Sequence, residues 1–158
     1  MHLNNSLESF KSVVEIWQIN SKKYPQIQAV TDDYSNISLT YSELNNHIRN
    51  FAAALQSLGI SKGAHIAQFS ENSAKWLIAD QALLSCGAVN AVRGSQAPIE
   101  ELNYIYNHSD SRFLITDSTK MLEKLYPQLS SSLPEFIILL SEENVKDKTP
   151  VFIEDFLD

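Results

Sequence analysis

The sequence predicts an α/β fold in which helices flank a mainly parallel sheet. Short apolar strands alternate with amphipathic helices along the chain, and the connections between them are short. No repeat, low-complexity tract or long Pro/Gly/Ser linker divides the 158 residues. A strand, a helix and a further strand joined in this way form a right-handed parallel crossover. A chain of this length buries roughly 68–70% of its unfolded surface, so it can sustain a core without disulfides or structural metal.

The N-terminal segment is predicted to contain one helix and a small β-hairpin. Apolar residues recur at helical spacing over Ser6–Asn20, and Tyr24-Pro25 ends the pattern because a residue before proline avoids helical geometry. Residues 29–31 and 37–41 flank a polar run, which favours an antiparallel hairpin. The apolar stripe of the helix is Leu7, Phe10, Val13, Val14 and Trp17.

The next segment has the strongest helix signal in the chain. Thr40 and Glu43 have the spacing of a capping box, in which the hydroxyl and the carboxylate satisfy free amides of the first turn. Gly59 follows where a left-handed C-terminal cap is expected. The buried stripe is predicted to be Leu44, Ile48, Phe51, Ala52, Leu55 and Leu58.

Two strands and a helix are predicted next. Residues 64–69 form a strand, residues 72–86 form a helix closed by Gly87, and residues 88–92 form a second strand. The last of these is almost wholly apolar, which predicts a strand covered on both faces. The inward residues of the helix are predicted to be Trp76, Leu77, Ala79, Leu83 and Leu84.

The pattern then repeats to the end of the sheet. Pro98 suits the first turn of a helix, because its missing N–H loses no bond there. Residues 112–116 form a strand, 118–129 a helix and 136–140 another buried strand. The stripe after Pro98 is predicted to be Leu102, Ile105 and Tyr106.

Composition excludes several classes of protein. Twelve basic against nineteen acidic residues give a net charge of −7, so a nucleic-acid-binding role is not expected. Cys86 is the single cysteine, which excludes an internal disulfide and any multi-thiolate metal site, and fits a reducing cytoplasm. No run approaches the ~18 apolar residues of a membrane span, and no secretory signal pattern is present at the start.

Scarce glycine argues against a phosphate-binding loop in this chain. Its four glycines are about 2.5% of the residues, against ~7% on average. None of them has the spacing of a dinucleotide fingerprint or a P-loop, in which backbone amides approach a polyphosphate closely. Any nucleotide chemistry is therefore expected outside these residues.

Residues of types that often act in catalysis are interpreted here as structural. His108-Ser-Asp110 contains the residue types of a hydrolase triad, but neighbours in sequence do not usually converge in triad geometry. The positive charge of His108 is instead expected to complement the C-terminus of a helix. Cys86 follows an apolar helix and is expected to be a small buried hydrophobe. Asp32-Asp33 is expected to form a turn.

The candidate site is the loop Arg93, Gly94 and Ser95. It follows the carboxyl end of a strand, where ligands collect in open parallel sheets, and its arginine could bind a carboxylate or phosphate. The structural alternative is that Gly94 supplies a permissive turn and Ser95 a polar residue before the next helix. The sequence leaves both interpretations open, and the structural one is favoured.

An ordered set of motifs resembles the N-terminal region of adenylate-forming acid–thiol ligases. The set comprises Thr40-Tyr-Ser-Glu-Leu44, Leu58-Gly-Ile-Ser-Lys-Gly63, Glu71-Asn72 with Trp76, Cys86-Gly-Ala-Val89, and Glu101-Leu102 leading to Phe113-Leu-Ile115. The resemblance covers about Val13 to Asp158. The run Val92–Pro98 with Tyr104–Asp110 is similar to long-chain acyl-[acyl-carrier-protein] synthetases, and also to long-chain acyl-CoA ligases.

The resemblance implies a parent enzyme that works in two steps with ATP and Mg²⁺. A fatty carboxylate attacks the α-phosphate to give an acyl-adenylate, and the phosphopantetheine thiol of acyl-carrier protein or CoA then displaces AMP. The family's phosphate loop, its other nucleotide motifs and its C-terminal domain are expected after Asp158. No catalytic, cofactor or metal residue is therefore assigned to 1–158, which is interpreted as a partial N-terminal domain ending before the phosphate loop.

Several further expectations follow from that interpretation. Residues 1–12 are a peripheral extension, and the remainder of the parent ligase is the main partner. The chain alone is expected to be inactive and to self-associate through surface that the parent would cover. The parent is expected in the cytoplasm, with peripheral membrane association open. The alternative is a stand-alone binding or regulatory module that keeps the fold and lacks the chemistry.

Overall fold

The computed structural model describes residues 11–33, 35–129, 133–140 and 150–152. Seven strands and five α-helices lie within these ranges. The helices are α1 (Glu15–Lys23), α2 (Tyr41–Ser57), α3 (Ala74–Ser85), α4 (Ile99–His108) and α5 (Thr119–Leu125). The strands are β1 (Gln28–Asp32), β2 (Ile37–Thr40), β3 (His65–Phe69), β4 (Val89–Arg93), β5 (Phe113–Thr116), β6 (Ile137–Leu139) and β7 (Pro150–Phe152).

Strand pairing confirms the predicted α/β class. A five-stranded sheet has the order β4-β3-β5-β6-β7, and all four neighbouring pairs are parallel. The predicted hairpin is also present, because β1 and β2 pair antiparallel as a separate two-stranded sheet. Strand β7 was not predicted from the sequence. It extends the sheet beside β6.

Helices α2 and α3 cover one face of the sheet. The capping box of α2 is confirmed: Glu43 N–H donates to Thr40 Oγ1 at 3.3 Å, and Thr40 N–H donates to Glu43 Oε2 at 2.8 Å. This face contains the larger apolar cluster of the described residues. Its largest fully buried side chains are Leu44, Ile48, Phe51, Leu55, Ile60, Ile66, Ile78 and Leu83.

Helices α4 and α5 cover the opposite face. Strand residues alternate between the two sides, so Ile66 packs with the α2–α3 cluster while Ala67 and Phe69 pack with the α4–α5 cluster. Leu102 and Tyr106 of α4 are fully buried there, as the helical spacing predicts. The parallel sheet is therefore a middle layer between two helical layers.

A chain of side-chain hydrogen bonds crosses the α2–α3 side. Trp17 Nε1 donates to Gln81 Oε1 at 2.6 Å, and Gln81 Nε2 donates to Asp80 Oδ2 at 2.9 Å. Asn90 Nδ2 donates to Asp80 Oδ1 at 2.9 Å and to Gln68 Oε1 at 2.7 Å. These bonds join α1, α3, β3 and β4 through groups that would be costly to bury without partners.

The first helix differs from its prediction. It begins at Glu15 and runs to Lys23, where Tyr24 N–H closes the helix on Asn20 O at 2.7 Å. Val13 precedes it and is 58% exposed, so it does not belong to a buried stripe. The predicted positions Leu7 and Phe10, and residues 1–10 of the proposed extension, lie outside the described residues.

The prediction that residues 88–92 form a strand covered on both faces was wrong. In the described part of the chain β4 is an edge strand, and its Val89 and Val92 are 48% and 47% exposed. An apolar composition cannot distinguish a central strand from an edge strand, because both carry the same residue types. Leu84, predicted to point inward, is also exposed at the end of α3.

The fifth helix is shorter than predicted. Ser118 caps it, with Met121 N–H donating to the Ser118 hydroxyl at 3.3 Å, but the α-helix ends at Leu125. Residues Tyr126–Leu129 continue as a 3-10 helix. Pro127 explains the change, because proline lacks an N–H and its ring clashes with the carbonyl four residues earlier in an α-helix.

Candidate functional site

Three neighbouring strands end together at one edge of the parallel sheet. Strand β4 leads into the candidate loop Arg93-Gly94-Ser95, β3 leads to Glu71, and β5 leads to Asp117. Because the strands are parallel, their carboxyl ends meet at the same edge, which is where ligands bind in folds of this kind. Two carboxylates, those of Glu71 and Asp117, therefore lie beside the candidate loop.

Ser95 lies between these two carboxylates. Its side chain is buried, with 9% of the residue exposed. The Ser95 hydroxyl donates to Asp117 Oδ2 at 2.7 Å and lies 3.3 Å from Glu71 Oε1. These contacts turn the hydroxyl toward the protein, and they satisfy a polar group that would be costly to bury alone.

Backbone amides complete the cluster. Glu71 N–H donates to Asp117 Oδ2 at 2.9 Å, and Gln96 N–H donates to Glu71 Oε1 at 3.2 Å. A Cβ built on Gly94 would lie 3.0 Å from Glu71 Oε1. Glycine at position 94 thus allows the Glu71 carboxylate to approach the loop closely. We call Glu71, Ser95 and Asp117, with these two amides, the edge cluster. It lies at the carboxyl ends of β3, β4 and β5, and not along the outer side of β4.

The guanidinium of Arg93 is engaged by the first turn of α4. Arg93 Nε donates to Glu101 Oε1 at 2.7 Å, and the two side chains are 49% and 40% exposed. The hydrogen bond to Glu101, followed by its negative charge, raises the pKa of Arg93 above its usual value. Arg93 also holds β3 in place, because its carbonyl accepts from Ser70 N–H at 3.1 Å.

A shallow groove borders the candidate loop on its α4–α5 side. Its volume is about 260 Å³, and the starts of α4 and α5 form its walls. Lys120 and Lys124 give it positive charge, while Ile99 and Met121 contribute apolar surface. Ser95 is among the residues that line this groove, so the groove adjoins the candidate loop.

The other reactive residue types have the structural roles expected from the sequence. Cys86 is buried with 7% exposed, its Sγ lies 3.5 Å from Ala52 O, and burial raises the pKa of the thiol. Asp32 accepts from Ser35 N–H at 3.2 Å in the hairpin turn. It also accepts from Ala74 N–H at 2.9 Å, at the start of α3. His108 is the last residue of α4 and stacks on Tyr104.

Sequence reasoning missed the partners of the candidate loop. Glu71 and Glu101 were quoted only within the family motifs, and Asp117 was not named, although Glu71 and Asp117 each follow an apolar strand directly or within two residues. That position was the available signal, since polar residues after neighbouring parallel strands meet at one edge. Within the described ranges, no group of three or more His, Cys, Asp or Glu side chains is arranged to hold a metal ion.

Comparison with known proteins identifies the family. The model of the AMP-binding enzyme family matches residues 17–156, which is most of the chain. The chain belongs to the AMP-binding enzyme family. This result confirms the resemblance to adenylate-forming ligases that the sequence motifs indicated.

Two curated relatives come from Arabidopsis thaliana. "Probable acyl-activating enzyme 16, chloroplastic" is 38% identical over 138 residues, covering 85% of this chain and 19% of that protein. "Long-chain-fatty-acid--[acyl-carrier-protein] ligase AEE15, chloroplastic" is 37% identical over 134 residues, covering 83% of this chain and 18% of that protein. The chain therefore spans about a fifth of the length of these relatives.

Solved structures of family members share the fold. The anthranilate CoA ligase AuaEII, in complex with anthranoyl-AMP, aligns with a TM-score of 0.78 at 19% identity, over 91% of this chain and 27% of that one. A benzoate CoA ligase from Burkholderia xenovorans aligns with a TM-score of 0.76 at 22% identity, over 91% and 27% of the two chains. The helix-flanked parallel sheet is thus the fold of the corresponding part of these ligases.

Proposed function

We propose that this chain is the N-terminal part of a longer ATP-dependent long-chain fatty acid ligase. The observation that carries the proposal is the 37% identity to a long-chain fatty acid–[acyl-carrier-protein] ligase, of which the chain spans 18%. The remaining part of such a ligase would supply the phosphate loop and the residues for ATP and Mg²⁺. Residues 1–158 would then be a partial N-terminal domain that ends before that loop, with residues 1–12 as a peripheral extension.

The proposed reaction has two steps. The fatty carboxylate oxygen attacks the α-phosphorus of ATP, the bond to the β-phosphate oxygen breaks, and pyrophosphate leaves. The thiol sulfur of a phosphopantetheine arm then attacks the acyl carbon and its proton is released. The bond between the acyl carbon and the bridging oxygen breaks, and AMP leaves with that oxygen. Adenylation makes a poor leaving oxygen into a good one, and the metal and cationic donors of the complete enzyme would stabilise the charge on phosphate.

In this proposal the candidate loop is a structural support and not a phosphate site. The Arg93–Glu101 pair and the bonds of Ser95 support that role, because these side chains already have partners within the chain. A phosphate would compete with the Glu101 carboxylate for Arg93, and it would meet the negative charge of Glu71 and Asp117 nearby. Catalytic and cofactor-binding residues are accordingly assigned to the rest of the ligase.

The acceptor and the place of the reaction are also proposals. Identity to the acyl-carrier-protein ligase favours acyl-carrier protein over CoA, although the chain is also 30% identical over 118 residues to "Putative acyl-CoA synthetase YngI" of Bacillus subtilis. The single buried cysteine supports a reducing cytoplasm. Among the helices in the described parts of the chain, none is long and apolar enough to cross a membrane.

Exchange of pyrophosphate into ATP tests the proposal. The complete polypeptide encoded by the gene should catalyse exchange that depends on a long-chain fatty acid, whereas residues 1–158 alone should give none. The complete enzyme should then load the acyl group onto acyl-carrier protein in preference to CoA. Exchange by residues 1–158 alone, or a gene that stops after Asp158, would contradict the proposal. A stop at that point would favour a stand-alone binding or regulatory module.

A further inference from the structure

Among the residues that the structure describes, no strand pairs with the outer edge of β4, and its outward backbone groups form a regular array. Val89 N–H donates to Ala64 O at 2.8 Å, and Arg93 O accepts from Ser70 N–H at 3.1 Å. The backbone N–H and C=O groups of the odd-numbered residues of β4 therefore point toward β3. Because successive residues of a strand point their peptide groups to opposite sides, the N–H and C=O groups of Asn90 and Val92 face away from the sheet. These groups are the ones that another strand would bind.

Apolar surface is exposed on both sides of this edge. Val89 pairs with His65 and Val92 pairs with Gln68, so the two valines lie on opposite faces of the sheet. They are 48% and 47% exposed, among the larger apolar side chains that the helical layers leave uncovered. Asn90 is different, because its side chain is held inward by Gln68 and Asp80.

Strand β4 lacks the usual protection of a free edge. Natural edge strands carry prolines, inward charges, lysines or bulges that prevent pairing with another chain. The sequence Val-Asn-Ala-Val-Arg contains no proline, glycine or lysine, and all five residues pair with β3 in unbroken register. Its one charged residue, Arg93, is at the end of the strand and is bonded to Glu101. An unprotected edge of this kind is expected where a strand is normally added.

We propose that the edge of β4 binds a β-strand from the part of the same ligase that lies beyond these residues. This inference rests on the proposed function, because it needs a longer polypeptide. The relatives extend over about five times the matched length, and the solved ligases over more than three times, so most of each protein is available to cover this edge. The proposal therefore names the same polypeptide, and not a second copy, as the occupant.

The edge also defines the chemistry of the added strand. Because Val89 and Val92 lie on opposite faces, one apolar row would cover only one of them. The added strand must carry apolar side chains on both faces, so it should be a short continuous apolar run and not an alternating one. Its backbone would pair with the N–H and C=O groups of Asn90 and Val92.

Hydrogen exchange at residues 88–94 tests the inference. In residues 1–158 alone, the amides of Asn90 and Val92 should exchange at least tenfold faster than those of Val89 and Ala91. In the complete polypeptide they should become at least a hundredfold slower than in the short chain. Equal exchange in the two proteins would overturn the inference. Protection in the complete polypeptide that rises with its concentration would also overturn it, because the occupant would then be a second copy.

A pair of valine-to-lysine variants gives a second measurement. Val92→Lys should leave the exchange of Ala91 unchanged within twofold in residues 1–158, and should raise the exchange of residues 88–94 at least tenfold in the complete polypeptide. Val13→Lys is the matched control, because Val13 is similarly exposed at 58% but lies before α1; it should change neither protein. If Val92→Lys prevents folding of the complete polypeptide only, while Val13→Lys does not, the edge is likewise covered there.

Failure of this inference is distinguishable from failure of the proposed function. A complete polypeptide that adenylates fatty acids but leaves Asn90 and Val92 unprotected would overturn only the added strand. A polypeptide that protects these amides but does not adenylate would overturn only the proposed reaction. If Val92→Lys has no effect on exchange in the complete polypeptide, the edge is open to solvent and the inference is wrong.

Discussion

One face of strand β3 and its carboxyl end are stabilised in different ways. Where Ile66 faces α2 and α3, it packs in an apolar cluster that includes Phe51 and Leu55, both at 0% exposure. At the carboxyl end of the same strand, the edge cluster is held by hydrogen bonds to two carboxylates. The first region sets the stability of the fold, since burying one large apolar side chain contributes about 1.5–3 kcal/mol.

The edge cluster is expected to contribute less to stability and more to the position of a loop. A hydrogen bond in a folded protein contributes about 0.5–1.5 kcal/mol net, but a buried group left without its partner costs about 1–3 kcal/mol. We therefore expect the apolar layers to fold even when a polar group of the edge cluster is replaced. The arrangement of residues 93–96 instead depends on Glu71 and Asp117.

Truncation of Phe51 should have the largest effect. Phe51→Ala should lower the free energy of unfolding by about 3–5 kcal/mol, because it removes a fully buried ring and leaves a cavity between α2 and the sheet. Urea unfolding followed by circular dichroism measures the change. Val13→Ala is the exposed control and should stay within about 0.5 kcal/mol of the parent chain. Equal losses in the two variants would contradict the assignment of stability to the apolar layers.

Removal of the Asp117 carboxylate should have an intermediate effect. Asp117→Ala removes the acceptor of the Glu71 amide and the shorter of the two hydrogen bonds of the Ser95 hydroxyl, so a loss of about 1–3 kcal/mol is expected. Exchange of the Glu71 and Gln96 amides should rise more than exchange in α2. Asp33→Ala, at an exposed turn residue, is the control. A loss as large as that of Phe51→Ala would mean that the edge cluster is part of the core.

A double-mutant cycle tests the close approach at Gly94. Gly94→Ala alone should cost about 0.5–1 kcal/mol, because the new Cβ would meet Glu71 Oε1 at 3.0 Å and push the carboxylate away from Gln96. In the Glu71→Ala background the same substitution should cost nothing. Unfolding free energies of the four proteins measure the coupling. Additive effects would show that Glu71 does not require glycine at position 94.

The smallest predicted effect is a pH dependence at the start of α2. The N–H of Thr40, and then its hydroxyl, donate to Glu43 and lower the pKa of this carboxyl below 4.5. A lowered pKa in the folded chain means that the stabilisation is present at neutral pH and is lost as the pH falls below the unfolded value through the folded one. Glu43→Gln should therefore lose less stability than the parent chain between pH 7 and pH 3. Glu123→Gln, at an exposed position of α5, should behave as the parent chain does.

Local signals predicted most elements of the fold but not their arrangement. The capping box at Thr40 and the spacing of Leu44, Ile48 and Phe51 are local, and they predicted α2 closely. The exposure of Val89 and Val92 depends on strand order, which a local pattern does not contain. For the same reason, periodicity indicated the strands but could not show which of them form the sheet's edge.

The candidate site was predicted only in part. Arg93, Gly94 and Ser95 were identified because they follow a strand, which is a local observation. Their partners Glu71 and Asp117 are more than 20 residues away in sequence and meet them only through the order β4-β3-β5. The pairing of Arg93 with Glu101 lies within one helical turn of the start of α4, but it requires the exact orientation of that helix.

Titration of residues 1–158 with MgATP tests the central claim most directly, namely that these residues support a ligase without holding its nucleotide. Amide resonances of Arg93, Gly94, Ser95 and the groove residues Lys120 and Lys124 would be followed by NMR. The account predicts no saturable shift at these positions up to millimolar nucleotide. A saturable shift localised to the candidate loop and the groove, abolished by Arg93→Gln, would contradict it.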